Sequence, residues 1–130
     1  MPTITRNISI GVALMSIALV PGGAFAKGGN DQEKRVAGTC TGNASSKLKA
    51  KLDDGKIDTE FEVDQNRNDV TWKVRFRLNG ERVVKTKATT KAPSGSFSVE
   101  RRLPNAPGAD HIAAKAISPG GQACRADLTI

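Results

Sequence analysis

The sequence predicts an all-β protein: a single antiparallel immunoglobulin-like β-sandwich of seven or eight strands that follows an N-terminal signal peptide. Polar and apolar residues alternate with a period of two, turn sequences recur at roughly ten-residue spacing, and no window after Ala26 keeps a helical period. A chain of 130 residues, 25% charged and 38% hydrophobic, is long enough for one domain of ordinary size.

Residues 1–26 are predicted to be the signal peptide. A polar start containing Arg6 precedes a mostly apolar run, residues 8–20, which Pro21 ends. Ala24-Phe25-Ala26 then supplies small residues at the two positions that a signal peptidase reads. Because a membrane span takes about 20 apolar residues, we expect cleavage after Ala26, no transmembrane segment in the mature chain, and a secreted, extracellular protein.

The mature chain is predicted to consist of a polar, flexible lead-in, residues 27–35, and a sandwich domain, residues 36–130. Two cysteines in an exported chain are expected to pair with each other. We therefore predict a Cys40–Cys124 disulfide that ties the first strand to the last. In the chain-entropy model, closing so long a loop contributes about 4–5 kcal/mol.

The first predicted hairpin joins residues 46–52 to residues 57–64 through a turn that contains Gly55. A register that pairs Leu52 with Ile57 sets three lysines opposite three acids. A slip of one residue would turn these charges into the core, so the register is well specified. The expected pairs are Lys51 with Asp58, Lys49 with Glu60 and Lys47 with Glu62.

The second predicted hairpin spans residues 70–90 and turns at Asn79-Gly80. A two-residue turn would place Val83 opposite Phe76 but would turn two lysines towards the core. A three-residue loop with a bulge keeps those lysines outside, and we favour it because burying two lysines costs far more than one bulge. In that register the inward residues are Val84, Thr86 and Ala88, and the outward lysines are Lys85 and Lys87.

Four further strands are predicted over residues 36–41, 97–103, 110–118 and 123–130. The landmarks of a true antibody domain are missing, because the chain has no tyrosine and its second cysteine lies on the last predicted strand. The architecture is therefore expected to be immunoglobulin-like only in a broad sense.

Several motifs of the mature chain resemble those of a family of small secreted actinobacterial proteins without an assigned activity. The resemblance covers almost the whole mature chain, but its motifs are turn and core residues. It therefore implies an immunoglobulin-like sandwich and secretion, and it carries over no catalytic residue. The motifs are Cys40-Thr41-Gly42, Lys49-Ala50-Lys51, Phe61-Glu62-Val63-Asp64, Asn66-Arg67-Asn68, Trp72-x-Val74, Ala92–Phe97 and Cys124-Arg125.

Six cations cluster on the outward face of the second hairpin, and they are the candidate binding residues. Like charges opposite each other on a ladder repel, so the cluster lowers stability and calls for a compensating role. Protection of the sheet against association is one, and a platform for an anionic cell-envelope polymer, membrane surface or acidic protein is the other. The six residues are Lys73, Arg75, Arg77, Arg82, Lys85 and Lys87.

The leading hypothesis is a secreted, non-catalytic binding protein that recognises an anionic partner through this face. Nucleic acid is not expected, because the chain is exported and its mature aromatic residues are all assigned to the core. The alternative hypothesis is an extracellular inhibitor of a hydrolase that presents loops 91–96 and 104–109 as rigid projections.

No catalytic residue, metal or cofactor is predicted. His111 is the only histidine; it is placed outward beside Asp110 and has no recognisable nucleophile setting. Residues 64–69 resemble the start of a calcium loop, but Asp69 replaces the required glycine and Arg75 the required glutamate. The cysteines and histidine are too few for a zinc site of their own.

Overall fold

The computed structural model describes residues Gln32–Ile130, which form nine strands and no helix. Residues 1–31, which include the predicted signal peptide and the first part of the lead-in, lie outside the described residues. Among the described residues, there is no apolar helix of the length that crossing a bilayer requires. The strands are β1 Glu33–Ala37, β2 Thr39–Cys40, β3 Ser45–Asp53, β4 Lys56–Asp64, β5 Thr71–Leu78, β6 Glu81–Thr89, β7 Ser96–Pro104, β8 His111–Ile117 and β9 Ala123–Thr129.

These strands form two antiparallel sheets, with the order β1-β3-β4-β7 in the four-stranded sheet and β2-β9-β8-β5-β6 in the five-stranded one. The inward residues of both sheets form one hydrophobic core. Phe61 of β4 meets Phe76 of β5 edge-on, with ring centroids 6.3 Å apart, and Trp72 of β5 packs near Phe97 of β7 at 6.1 Å. The all-β class is confirmed, and the two sheets are compatible with the predicted sandwich.

The immunoglobulin-like order of strands stays a prediction. In immunoglobulin domains the second and third strands lie in different sheets. Here β1 and β2 together take the place of the first strand, so the second and third are β3 and β4. These two form a hairpin within one sheet, and β7 pairs with β4 instead of β3. The connection that differs is therefore the one that follows β3.

The hairpin of β3 and β4 has the register predicted from its charges. Leu52 lies opposite Ile57, and Leu48 lies opposite Phe61 on the core face. On the outer face, Lys47 Nζ lies 3.5 Å from Glu62 Oε1, and Lys49 Nζ lies 3.3 Å from Glu60 Oε1. The alternation of charge and apolar residue was sufficient to specify this pairing.

The hairpin of β5 and β6 contains the predicted bulge, but at a different place. Leu78 lies opposite Glu81, so the loop is the two-residue Asn79-Gly80 and not a three-residue loop. The register shifts between the Arg77–Arg82 pair and the Phe76–Val84 pair, and Val83 is the extra residue, 40% exposed. The outcome for the lysines is the predicted one: Lys85 and Lys87 point outward, while Val84, Thr86 and Ala88 are partly buried on the core side.

The predicted flexible lead-in, residues 27–35, is wrong for its described part. Glu33–Ala37 pairs with β3, so the ordered domain begins before residue 36. The strand is anchored by Val36, which packs against the core, and backbone pairing extends it to the polar residues 33–35; their composition misled the prediction because a ladder needs no apolar side chain at every position. Within β1, a side-chain hydrogen bond from Arg35 is the main cause that lowers the pKa of Glu33 below its ordinary value.

The predicted strand over residues 36–41 is in fact two strands that belong to different sheets. The chain leaves β1 at Gly38, whose backbone N–H donates to the Ser46 carbonyl oxygen (2.9 Å), and then joins β9 through β2. Cys40 and Cys124 lie directly opposite each other in that pairing and form the predicted disulfide, with their Cα atoms 4.0 Å apart. The cysteine pairing is therefore as predicted, but the strand joined to the last one, β9, is β2 and not the first strand.

Candidate anion-binding face

Three rows of outward side chains cross the five-stranded sheet. Each row follows directly opposed residues on β9, β8, β5 and β6, where neighbouring strands are about 4.8 Å apart and successive rows about 6.8 Å apart. Row 1 is Ala123, Ile117, Lys73 and Lys87; row 2 is Arg125, Lys115, Arg75 and Lys85; row 3 is Asp127, Ala113, Arg77 and Arg82.

All six cations predicted to bind an anionic partner lie in these rows. The structure adds two that the sequence did not assign, Lys115 on β8 and Arg125 on β9. We call the eight cations of the three rows the cationic face. The alternation of β8 and β9 already marks both residues as outward, but only the strand order places them beside β5.

Row 2 is the densest part of the cationic face, because all four of its residues are cations. Arg125 lies opposite Lys115, Lys115 opposite Arg75, and Arg75 opposite Lys85. Like charges directly opposite each other on a ladder destabilise it. The row therefore imposes three unfavourable cross-strand pairs on the sheet.

The outer face of the four-stranded sheet carries both signs of charge. It too has like-charged cross-strand pairs, Arg35 with Lys49 and Glu60 with Glu100, but Arg35 and Lys49 each form a salt bridge to an acid. Its lysines on β3 face acids on β4, and Arg102 of β7 reaches both Asp58 Oδ1 at 2.8 Å and Asp53 Oδ2 at 3.3 Å. On the cationic face, none of the eight cations forms a salt bridge to any residue of the part described. The two faces of one domain thus differ in charge pairing, and not only in charge count.

Asp127 is the one carboxylate within the three rows, and its partner is a histidine. His111 Nε2 and Asp127 Oδ2 are 2.8 Å apart at an exposed position. The outward orientation predicted for His111 is therefore what the structure has, but the carboxylate it contacts is not Asp110.

Asp110 lies in the interior instead, fully buried beside His111 in sequence. Asn79 Nδ2 donates to its Oδ1 at 2.8 Å, and the Asn105 amide, turned with its nitrogen towards the carboxylate, donates to its Oδ2 at 2.8 Å. Two asparagines from separate loops thus satisfy both oxygens of the buried carboxyl group, which gives Asp110 a role in holding those loops together.

A furrow lies between rows 1 and 2 and crosses β8, β5 and β6. Its volume of about 510 Å³ is within the range of ligand sites in proteins. Half-buried Ile117 lines it together with the aliphatic stems of the surrounding lysines and arginines. The lining cations are Lys73, Arg75, Arg82, Lys85, Lys87 and Lys115.

A smaller depression of about 210 Å³ lies on the other side of row 2, over β5, β8 and β9. Arg77 and Arg125 line it, but so do Asp127 and His111. The furrow between rows 1 and 2 has no carboxylate in its lining, whereas this depression does. The two concavities of the cationic face therefore differ in how they would receive an anion.

Loops 91–96 and 104–109, on which the inhibitor hypothesis rests, do not come together. They flank opposite ends of β7, which runs over nine residues from Ser96 to Pro104, or about 27 Å at the rise of an antiparallel strand. The two loops cannot form a joint projection into one cleft.

The calcium-like stretch is a turn. Asp64 Oδ1 accepts a hydrogen bond from the Asn66 backbone N–H at 3.0 Å, and Asn66 and Asp69 have φ values of 60° and 64°. Within residues 32–130, no group of three or more acidic, histidine or cysteine side chains is arranged to hold a metal ion.

Comparisons with protein-family models, with curated proteins and with solved structures find no match to this chain. The candidate site therefore stands on the geometry of the cationic face alone.

Proposed function

We propose that this protein is a secreted, non-catalytic binding protein whose cationic face recognises an anionic partner of the cell envelope. The observation that carries the proposal is row 2, in which four cations from four adjacent strands lie in cross-strand register without an acidic partner in the described chain. An anion laid on this row would remove the repulsion between its members while gaining attraction from each.

Protection against aggregation explains the row less well. Charges that block edge-to-edge pairing are needed on edge strands, but β5 and β8, which carry Arg75 and Lys115, are central strands of the sheet. Solubility requires charge but not charge of one sign. On the four-stranded sheet of the same domain, Lys47, Lys49 and Arg102 all have acidic partners.

Secretion and an immunoglobulin-like architecture belong to this proposal. The Cys40–Cys124 disulfide is of the kind that persists in oxidising compartments, and the sequence pattern of residues 1–26 supports export. The resemblance to small secreted actinobacterial proteins points the same way. The order β9-β8-β5 in one sheet supports the architecture, with the β3–β4 hairpin as its departure.

The test is retention of the oxidised domain on isolated cell-envelope material at low ionic strength. The triple variant Arg75→Glu, Arg77→Glu and Lys85→Glu should elute at a much lower salt concentration than the unchanged protein. Its attraction to the anionic material is weaker, so less salt is enough to screen it.

The matched control reverses three exposed cations that lie off the cationic face, Lys34, Lys56 and Lys91. It changes the net charge by the same amount, so its elution should stay near that of the unchanged protein. Equal elution of the two triple variants would mean that net charge alone governs retention. Retention of both at the salt concentration of the unchanged protein would remove the proposed function.

The alternative, an extracellular inhibitor of a hydrolase, would use loop 91–96 or loop 104–109 singly, because the two loops lie at opposite ends of β7.

A further inference from the structure

We propose that the ligand of the furrow is a linear chain of phosphate groups that lies across the strands, between rows 1 and 2. This inference rests on the proposed function and specifies which part of the cationic face is used, in which direction, and by what chemistry. The site is a depression of about 510 Å³, which a narrow chain can enter and a flat anionic surface cannot.

The direction follows from the lining residues. They come from three adjacent strands, β8, β5 and β6. Ile117, Lys73 and Lys87 of row 1 lie on one side, Lys115, Arg75 and Lys85 of row 2 on the other, and Arg82 of row 3 adds a further cation from β6. A furrow bounded by two rows runs perpendicular to the strands. Its length from β8 to β6 is about 10 Å, two strand spacings.

The chemistry follows from the two charged walls. In a phosphate chain the anionic group is part of the backbone and has oxygens on both sides, so one chain can accept hydrogen bonds from both walls at once. A carboxylate attached to a sugar ring projects to one side and would leave one wall unpaired. Ile117 and the aliphatic stems of the lysines make the rest of the lining apolar, so they offer no charge to a second anion.

A planar membrane would use the face differently. It would contact the tips of all eight cations, including Arg77 and Arg125, which lie outside the furrow. A chain seated in the furrow depends on the furrow residues much more than on these two. Asp127, which lines the neighbouring depression, further disfavours an anion there.

The experiment measures binding of inorganic polyphosphate of increasing length to the oxidised domain. Affinity per chain should rise with length until the chain spans the furrow, and orthophosphate at the same total phosphate concentration should not compete. The plot of log K against log salt concentration has a negative slope, and the magnitude of that slope should decrease by about one for each furrow lysine that is removed.

Two double variants, each losing two cations of the same face, then separate the possibilities. Lys85→Gln with Lys115→Gln should weaken binding of long polyphosphate about tenfold, since two charge contacts are lost. Arg77→Gln with Arg125→Gln should weaken it much less. The unfolding transition of each variant in urea shows that the fold is kept.

Each other outcome overturns the furrow proposal in a recognisable way. Equal weakening by both pairs, together with tighter binding to vesicles that contain anionic lipid, would indicate a flat surface and leave the proposed function standing. Tighter binding of a sulfated polysaccharide or of single-stranded nucleic acid than of polyphosphate would assign the furrow to another chain. No binding of any of these anions, with envelope retention unaffected by the triple variant, would remove both proposals.

Discussion

Lys115 of β8 lies directly opposite Arg75 of β5, a pair of like charges on two central strands. On its other side, Lys115 lies opposite Arg125 of β9. Lys115 and Arg75 are the two residues of row 2 that lie between two cations, so a change of charge at either should have a large local effect. Lys115 therefore links the stability of the domain to the proposed binding function.

Replacing Lys115 by glutamate should stabilise the domain. Two repulsive cross-strand pairs become attractive, which should raise the free energy of unfolding by about 0.5–1 kcal/mol. Lys47→Glu is the matched control, because Lys47 faces Glu62 at 3.5 Å on one side and uncharged Ala37 on the other, so the same substitution should there lower stability. Urea denaturation at low salt measures both; a change of the same sign in the two variants would contradict the cross-strand argument.

Asn79 is expected to stabilise the domain through its side chain as well as through its turn. Its φ is 52°, its Nδ2 donates to Asp110, and its Oδ1 accepts from the His111 backbone N–H at 2.8 Å. Glycine keeps the positive φ but removes both hydrogen bonds, so Asn79→Gly should lower the free energy of unfolding by about 2 kcal/mol.

Asp54→Gly is the control for that substitution. Asp54 occupies the corresponding position of the β3–β4 turn, with a φ of 53°, and is exposed. Its replacement should change stability by no more than about 0.5 kcal/mol. If both variants lost the same stability in urea, the effect would belong to the turn and not to the buried Asp110.

Gly38 is predicted to tolerate no side chain. A Cβ at this position would collide with Ser46 Oγ and would lie 2.6 Å from the Arg125 carbonyl oxygen, where the chain passes from one sheet to the other. Gly38→Ala should lower the free energy of unfolding by about 1–3 kcal/mol. Gly120→Ala, whose nearest neighbour lies 3.9 Å away, should have almost no effect in the same thermal or urea melts; equal melts would refute the close approach.

The disulfide should supply a large part of the stability of the domain. Replacing Cys40 and Cys124 together by alanine opens a loop with a sequence separation of 84, which corresponds to about 4 kcal/mol in the chain-entropy model. Guanidinium unfolding with and without reductant checks this: reductant should destabilise the unchanged protein and leave the double variant as it is. A loss below about 1 kcal/mol would show that the ladder between β2 and β9 closes the domain without the bridge.

Local pattern was enough for the register of the β3–β4 hairpin, whose two strands are close in sequence. The β3–β4 register follows from lysines on one strand and acids on the next, since any slip would bury charge. The same reasoning placed Lys85 and Lys87 outside, but it did not locate the bulge. Asn79-Gly80 strongly favours a two-residue turn. The extra residue that keeps the lysines outside is therefore Val83, within the strand, and not a third residue of the loop.

The sequence by itself determined the all-β class, the partners of the two cysteines and the six cations of one hairpin. Only the tertiary structure decided that β8 lies beside β5, which brings Lys115 and Arg125 into register with Arg75 and completes row 2. It also decided that Asp110 is buried, because one of the two amides that satisfy it, that of Asn79, lies 31 positions away along the chain. The physical reason is the same in both cases: pairing between distant segments is selected by packing of the whole core, which no local alternation of residues encodes.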